Sequence, residues 1–269
     1  KLVSVPISVT NMTGGSGTVA LVHIANNRRA DPYTLAVFSP SLLFQIALKR
    51  TPLGVKDMTP VAGLTADFGV IVVRRESPHA DLKSFLQAYS RNPSGVSIGG
   101  GSAAGGQDHI GAALMLKGAG LDATKMKFIA YQSGGDAMVA LLGGHVDAIY
   151  VTISQIISHF EAGQVRTLAI FADKRLGSPF REVPTGKELG ADLIYPVWRG
   201  LYMPPGVDQE HVAYWDAVFR KLRTTKAWHL TLDQYKWFDS YMPPQTFVPF
   251  VTKEVQDYEV VLKELGFLK

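Results

Sequence analysis

The 269 residues include no cysteine. Disulfides, thiolate metal sites and cysteine nucleophiles are thereby excluded, and the redox character of the compartment stays open. No apolar run reaches the roughly 20 residues of a membrane-spanning helix, and Lys1 does not open a signal peptide. Basic runs with interleaved aromatics are missing: Arg28-Arg29 and Arg74-Arg75 stand as isolated pairs. A nucleic-acid surface is not expected. His109 and His145 have no acidic or histidine partner at ligand spacing, so neither a metal nor a cofactor is expected. No lysine follows the central glycines with P-loop spacing, and Gly99, Gly101 and Gly105 do not fit G-x-G-x-x-G, which argues against a nucleotide.

What is present belongs to a folded chain. Hydrophobic residues make up 46% and charged residues 19%, enough for a sizeable core and, at this length, for two lobes. A net charge of +4 is a mild positive field that favours small anions.

The stretch Val96–Ile110 is the centre of the functional reading. It predicts a short strand (Val96, Ile98), a turn of small residues, and a helix from about Gln107. Glycine permits close backbone approach, and a helix start leaves N–H groups unpaired with a partial positive charge. Together these make an anion cradle of main chain, suited to a small carboxylate. The alternative is a tight turn with no ligand.

Along the chain, Lys1–Val9 alternates like a strand and leads to the glycine-rich turn Asn11–Gly17 and a helix over 18–26. Strands are predicted over 33–38, 61–64 and 70–73, the last two interrupted by Thr65–Gly69. Leu82, Phe85, Leu86 and Tyr89 predict a helix over 81–90. After the central helix, strands over 127–130, 146–151 and 167–171 alternate with helices over 137–142, with Asp136 as its N-cap or first-turn acid, and 153–162. That rhythm predicts a mostly parallel sheet covered by helices, with ligands beyond the strand carboxyl ends where the glycine turns fall. Past Pro184 an aromatic strand (195–202) gives way to long helices, one carrying the core face Trp215/Phe219.

Several segments carry a resemblance. They are Asn11–Gly17, Ile98–Ser102 with Gln107-Asp108, Phe128–Tyr131 with Gly134-Gly135, Ala140–Asp147, Val183–Thr185 with Glu188–Gly190, and Arg199–Tyr202. In this order the chain resembles the substrate-binding receptors of tripartite tricarboxylate transporters, the Bug-type proteins, and most of all the tricarboxylate (citrate-type) receptors. The resemblance implies a type II periplasmic-binding-protein fold, with two α/β lobes closing on a carboxylate. Lobe 1 would be residues 1–95 plus 197–269 and lobe 2 residues 96–196, with crossings near 93–96 and 192–197. Relative to the family the chain starts at the second strand, so the first strand and its Pro/Gly-rich loop, one jaw of the site, are expected to be missing.

Under that resemblance Ser102 and the amides of Ala103, Ala104, Gly105 and Gln107, with Gly101, are the candidate carboxylate binders. Thr13, Gly14 and Gly15 would supply donors from the other lobe, or form a plain turn. Ser39 and Asp67 match family loop positions; Asp67 is a ligand-hydroxyl partner or a solvated loop acid. Arg199 either holds a further carboxylate bidentately or stacks on Trp198. Tyr150 and Thr152 line the pocket, with core packing the alternative for Tyr150. The implied function is non-catalytic: a monomeric periplasmic receptor delivering a citrate-like di- or tricarboxylate to membrane permease subunits. Two alternatives stand beside it. An enzyme on a similar fold would use Ser102, although Gly100–Ala104 is not G-x-S-x-G. An effector domain of a transcription regulator would need a helix-turn-helix before Lys1.

Overall fold

The computed structural model describes residues 2–268. The opening segment is no strand, contrary to its alternation: Val5, Ile7 and Val9 are exposed and unpaired in any ladder. Pro6 removes a ladder donor, and the apolar side chains of Leu2, Val3 and Ile7 instead line a groove with Trp215 and Phe219. The Asn11–Gly17 turn therefore does not follow a strand.

The first elements are α1 (Thr18–Asn27), β1 (Ala36–Phe38) and α2 (Pro40–Ala47). Helix α2 was not expected, yet its start is written in Ser39-Pro40: the Ser39 side chain accepts from the Ser41 N–H, and proline occupies the first turn. Next comes β2 (Thr59–Arg74), one unbroken strand of 16 residues where two short strands were expected. Helix α3 (Leu82–Arg91) is held at its start by Asp81, which accepts from the Ser84 N–H at 2.7 Å. It buries Leu82, Phe85 and Tyr89. The chain continues through β3 (Ser97–Gly100), α4 (Gln107–Gly118), β4 (Lys127–Ala130), α5 (Gly134–Leu142), β5 (Ala148–Thr152), α6 (Ile157–Glu161) and β6 (Val165–Ile170). It closes with β7 (Pro196–Met203), α7 (Gln209–Arg223), α8 (Lys226–Tyr235), β8 (Phe238–Met242) and α9 (Pro244–Glu264).

The chain divides into two compact units. The first takes the residues up to Ala66 and Trp198–Val261; the second takes Asp67–Val197 and the residues from Leu262 onward. Residues 67–95, given to the first lobe by the sequence reading, thus cluster with the second, as does the end of the chain.

In the first unit β1 pairs antiparallel with β7, which neighbours the first half of β2, and β8 pairs antiparallel with β2. Its core is aromatic: Phe38 meets Trp198, Tyr202 and Phe247 edge-on at 5.1–5.6 Å. Phe219 is buried, whereas Trp215 is only partly covered. In the second unit β3 lies parallel to both β4 and β5, while the second half of β2 runs antiparallel to β5 and β6. The sheet is therefore mixed, not mostly parallel; the parallel part is confined to β3, β4 and β5. Ile71, Ile98, Leu116 and Ala148 lie in one core cluster of this unit and Val70, Ile149, Leu141 and Val151 in another.

Candidate ligand-binding site

Parallel pairing of β4, β3 and β5 brings three loops to one edge of the second unit, beyond the strand carboxyl ends. They are 101–106, 131–133 and the turn after Thr152. How close they come is set by glycine. A Cβ on Gly101 would lie 2.1 Å from the Gly134 N, and one on Gly134 would lie 2.6 Å from the Gln155 side chain. The starts of α4 and α5 thus back one small surface of main chain.

Several donors of that surface are already spent. The Gly101 N–H donates to Asp108 Oδ2 at 2.8 Å, and the Gly106 N–H to the Ala103 carbonyl at 2.8 Å. Gly105, at φ +75°, donates its N–H to His109 Nδ1 at 2.9 Å. The Asp108 N–H is taken by Ser102 Oγ at 2.9 Å, so that hydroxyl caps α4 from six residues upstream. What remains is the pair of N–H groups on Ser102 and Ala103, which meet no acceptor among the described residues. The expected run of donors from Ala103 to Gln107 is therefore shorter: Gly105 and Gly106 serve the protein itself. Ala104 and Gln107 also carry interactions of their own, and the Gln107 carbonyl accepts from the Tyr195 hydroxyl at 3.0 Å.

Asp67 is no solvated loop acid. It is 1% exposed. The register that pairs Gly69 with Thr152 continues two residues on to set Asp67 against Ser154. Oδ2 accepts from Ser154 Oγ at 2.6 Å and from the Ser154 N–H at 3.2 Å, and Oδ1 accepts from the Phe68 N–H at 2.7 Å. Burial pushes its carboxyl above the ordinary value, outweighing the hydrogen bonds from Ser154, Phe68 and Thr152. Thr152 is buried too, and its N–H donates to Gln155 Oε1 at 3.2 Å.

Tyr150 is core, not pocket lining. Its ring stacks on Phe171 at 5.4 Å and occupies the space that Cβ atoms on Gly69 and Gly111 would need. The hydroxyl is buried without a hydrogen-bond partner among the described residues, and burial holds it well above the usual phenol range.

Sequence reasoning passed over Ser133, Ser154 and Gln155. Ser133 caps α5, accepting from the Asp136 N–H at 3.2 Å, so Asp136 is a first-turn acid and not the cap. Both turns carry a readable signal, a Ser or Thr followed three residues later by an acid or amide: Ser133/Asp136 and Thr152/Gln155.

In the first unit, Thr13, Gly14 and Gly15 are exposed, and φ is positive at all four of Gly14, Gly15, Ser16 and Gly17. Such a backbone needs glycine at most positions. It leads into α1, whose start has no side-chain cap. Ser39 spends its oxygen as the cap of α2. Arg199, half-buried on β7, donates from Nη1 to the Trp198 carbonyl at 3.1 Å. The Trp198 ring is occupied elsewhere, by Phe38, Phe247 and Phe250 and by a hydrogen bond to Glu254.

Chemically this surface offers main-chain donors to an anion. Ser102 Oγ accepts the Asp108 N–H, and His109 Nδ1 is engaged by the Gly105 N–H, so these two groups are not set up as a nucleophile and its base. Among the described residues no group of three or more His, Cys, Asp or Glu is placed to hold a metal ion, and no helix is long and apolar enough to cross a membrane.

Known proteins agree with this picture. The profile of the family described as tripartite tricarboxylate transporter family receptor (TctC) matches residues 1–267. A Cupriavidus necator protein, the UPF0065 protein in the gbd 5′ region, is 26% identical over 270 residues, spanning 100% of this chain and 80% of its own. Among solved structures, MatC from Rhodopseudomonas palustris with bound malate superposes with a TM-score of 0.83 at 24% identity, covering 96% of this chain and 88% of that one. An R. palustris protein with adipate gives a TM-score of 0.86 at 22% identity, covering 95% and 85%.

Proposed function

Because this chain belongs to the tripartite tricarboxylate transporter receptor family, whose members are solute-binding receptors and not enzymes, we propose that it captures a small di- or tricarboxylate through main-chain amides of its second unit. The observation that carries this reading is the pair of unspent N–H groups on Ser102 and Ala103, backed by the starts of α4 and α5. A carboxylate oxygen placed there gains charge-assisted hydrogen bonds and the favourable end of two helix dipoles. Malate and adipate, the acids held by the two R. palustris proteins, bracket the class, and a citrate-like acid is the tricarboxylate reading. Arg199, on β7 of the first unit, offers a planar guanidinium fork suited to a carboxylate. The chain works as a monomer in the periplasm, handing its ligand to membrane permease subunits.

Isothermal calorimetry with malate, adipate and citrate tests this directly. Saturable binding of at least one acid is expected, with a rise in unfolding temperature as ligand is added. Arg199→Gln should weaken binding by about tenfold for the acid that uses the guanidinium, the weight of one lost charge-assisted hydrogen bond. Absence of any heat or thermal shift with all three acids overturns the carboxylate assignment.

A further inference from the structure

His109 follows the amide loop, in the first turn of α4. Its Nδ1 accepts the Gly105 N–H at 2.9 Å, a bond that ties the middle of the loop to the first turn of the helix. The ring is itself fixed on both sides. It stacks on Phe128 of β4 at 4.2 Å with 5° between the planes, and Phe267, near the end of the chain, meets it edge-on at 4.8 Å. The end of the chain is also tied to α4 by the ion pair Lys117–Glu264 at 2.5 Å. Between His109, Thr124, Met126 and Phe267 lies a cleft of about 350 Å³.

Accepting at Nδ1 requires a proton-free nitrogen there, with any ring proton on Nε2. A protonated ring would present a second N–H to Gly105 and push the loop away. We propose that His109 is a positioning residue for the ligand: as a neutral acceptor clamped by Phe128 and Phe267, it sets the backbone of Ala103–Gly105 in the conformation that leaves the Ser102 and Ala103 amides facing outward. This deepens the carboxylate-receptor reading and rests on it.

Charged groups on the elements packed against the ring have partners elsewhere. Asp108 is turned to the Gly101 N–H, Lys117 is paired with Glu264, and Lys125 with Asp122 at 3.2 Å. Lys127 opens β4, on the other face of Phe128 in sequence terms, and Lys263 precedes Glu264. Burial alone lowers the imidazole to about 4, so the clamp holds through the neutral range and releases only in acid.

Two substitutions separate the acceptor from the packing. His109→Phe keeps an aromatic ring against Phe128 and Phe267 but deletes the nitrogen. His109→Asn keeps a carbonyl oxygen near the Nδ1 position and loses the ring. For the acid that the wild type binds, His109→Phe should weaken affinity by about tenfold, the loss of one hydrogen bond with a donor left unpaired. His109→Asn should stay within about threefold of wild type while lowering the unfolding temperature. Between pH 7 and 3.5, the ratio of wild-type to His109→Asn affinity should fall as the imidazole takes up its proton around pH 4, asparagine having nothing to titrate; the ligand's own ionisation cancels in that ratio. Equal affinities of His109→Phe and wild type, or a flat ratio, overturn the proposal. Should the wild type bind none of the acids, the receptor reading fails by itself, and the clamp is read from ligand-free hydrogen exchange. There the Gly105 amide must exchange faster in His109→Phe and at the wild-type rate in His109→Asn; identical rates in all three overturn it.

Discussion

Asp67 shows how a carboxylate can be held by hydrogen bonds and still be unfavourably placed as an anion. Donors from Phe68 and Ser154 hold it, yet at 1% exposure the cost of removing charge from water outweighs them. The folded-state carboxyl therefore titrates above its ordinary value of 3.8. For a group raised in this way, the stabilising contribution is complete below the unfolded value and is lost as pH rises through the folded one. Acidification from neutrality towards about pH 4 should thus add stability from this residue, against the usual acid trend of paired carboxylates. Asp67→Asn cannot ionise. The difference in unfolding free energy between wild type and Asp67→Asn, measured by urea titration at several pH values, should change across that window in favour of wild type at the acid end. A difference that stays constant with pH would mean that Asp67 keeps an ordinary titration. Nothing local in the sequence marks this residue as buried: its partner Ser154 lies 87 positions away, and Thr65–Gly69 has the composition of a turn.

The same contrast between local and distant causes runs through the elements. Helix α3 was legible because both its cap and its apolar stripe lie within its own residues. Strand β2 was not, because what keeps it extended is pairing with β8 on one half and with β5 and β6 on the other. The alternation of Val3, Val5, Ile7 and Val9 misled in the opposite sense: period two without a partner makes no strand. The loop after β3 was legible as glycine-rich, but its composition could not say which amides the chain itself would use; His109, Asp108 and Ser102 decide that. At Gly101 the requirement is packing of one element against another. A methyl group would meet the Gly134 N at 2.1 Å and the Ser133 carbonyl carbon at 2.4 Å. Both are backbone at the start of α5, with no side chain to swing aside. Gly101→Ala should cost about 1–3 kcal/mol of stability by overpacking and abolish measurable carboxylate binding, read by urea unfolding and calorimetry. Gly177→Ala, where nothing lies within 4 Å of the added methyl, should leave both unchanged. A Gly101→Ala protein as stable as wild type would show that the two loops do not abut as described.

Taken as one charged body, the chain carries 27 basic and 23 acidic side chains, a net charge of +4. Binding needs none of that excess, since the proposed grip is made of amides whose strength depends on their immediate surroundings. Capture is a different matter, because a divalent or trivalent anion feels the summed field before it reaches any amide. The screening length falls from about 30 Å at 10 mM salt to about 10 Å at 0.1 M, which is the range over which steering by a modest net charge should fade. Stopped-flow association of the acid that binds should therefore slow by about two- to threefold across that change, an order-of-magnitude expectation for a weak field. Dissociation should hardly move, because a hydrogen bond to the main chain of buried Ser102 is screened little. The two rates divide the protein's physics cleanly. An association rate indifferent to salt would assign recognition wholly to the amide surface, and a dissociation rate that rose steeply with salt would place the ligand on exposed charges and not on the Ser102–Ala103 main chain.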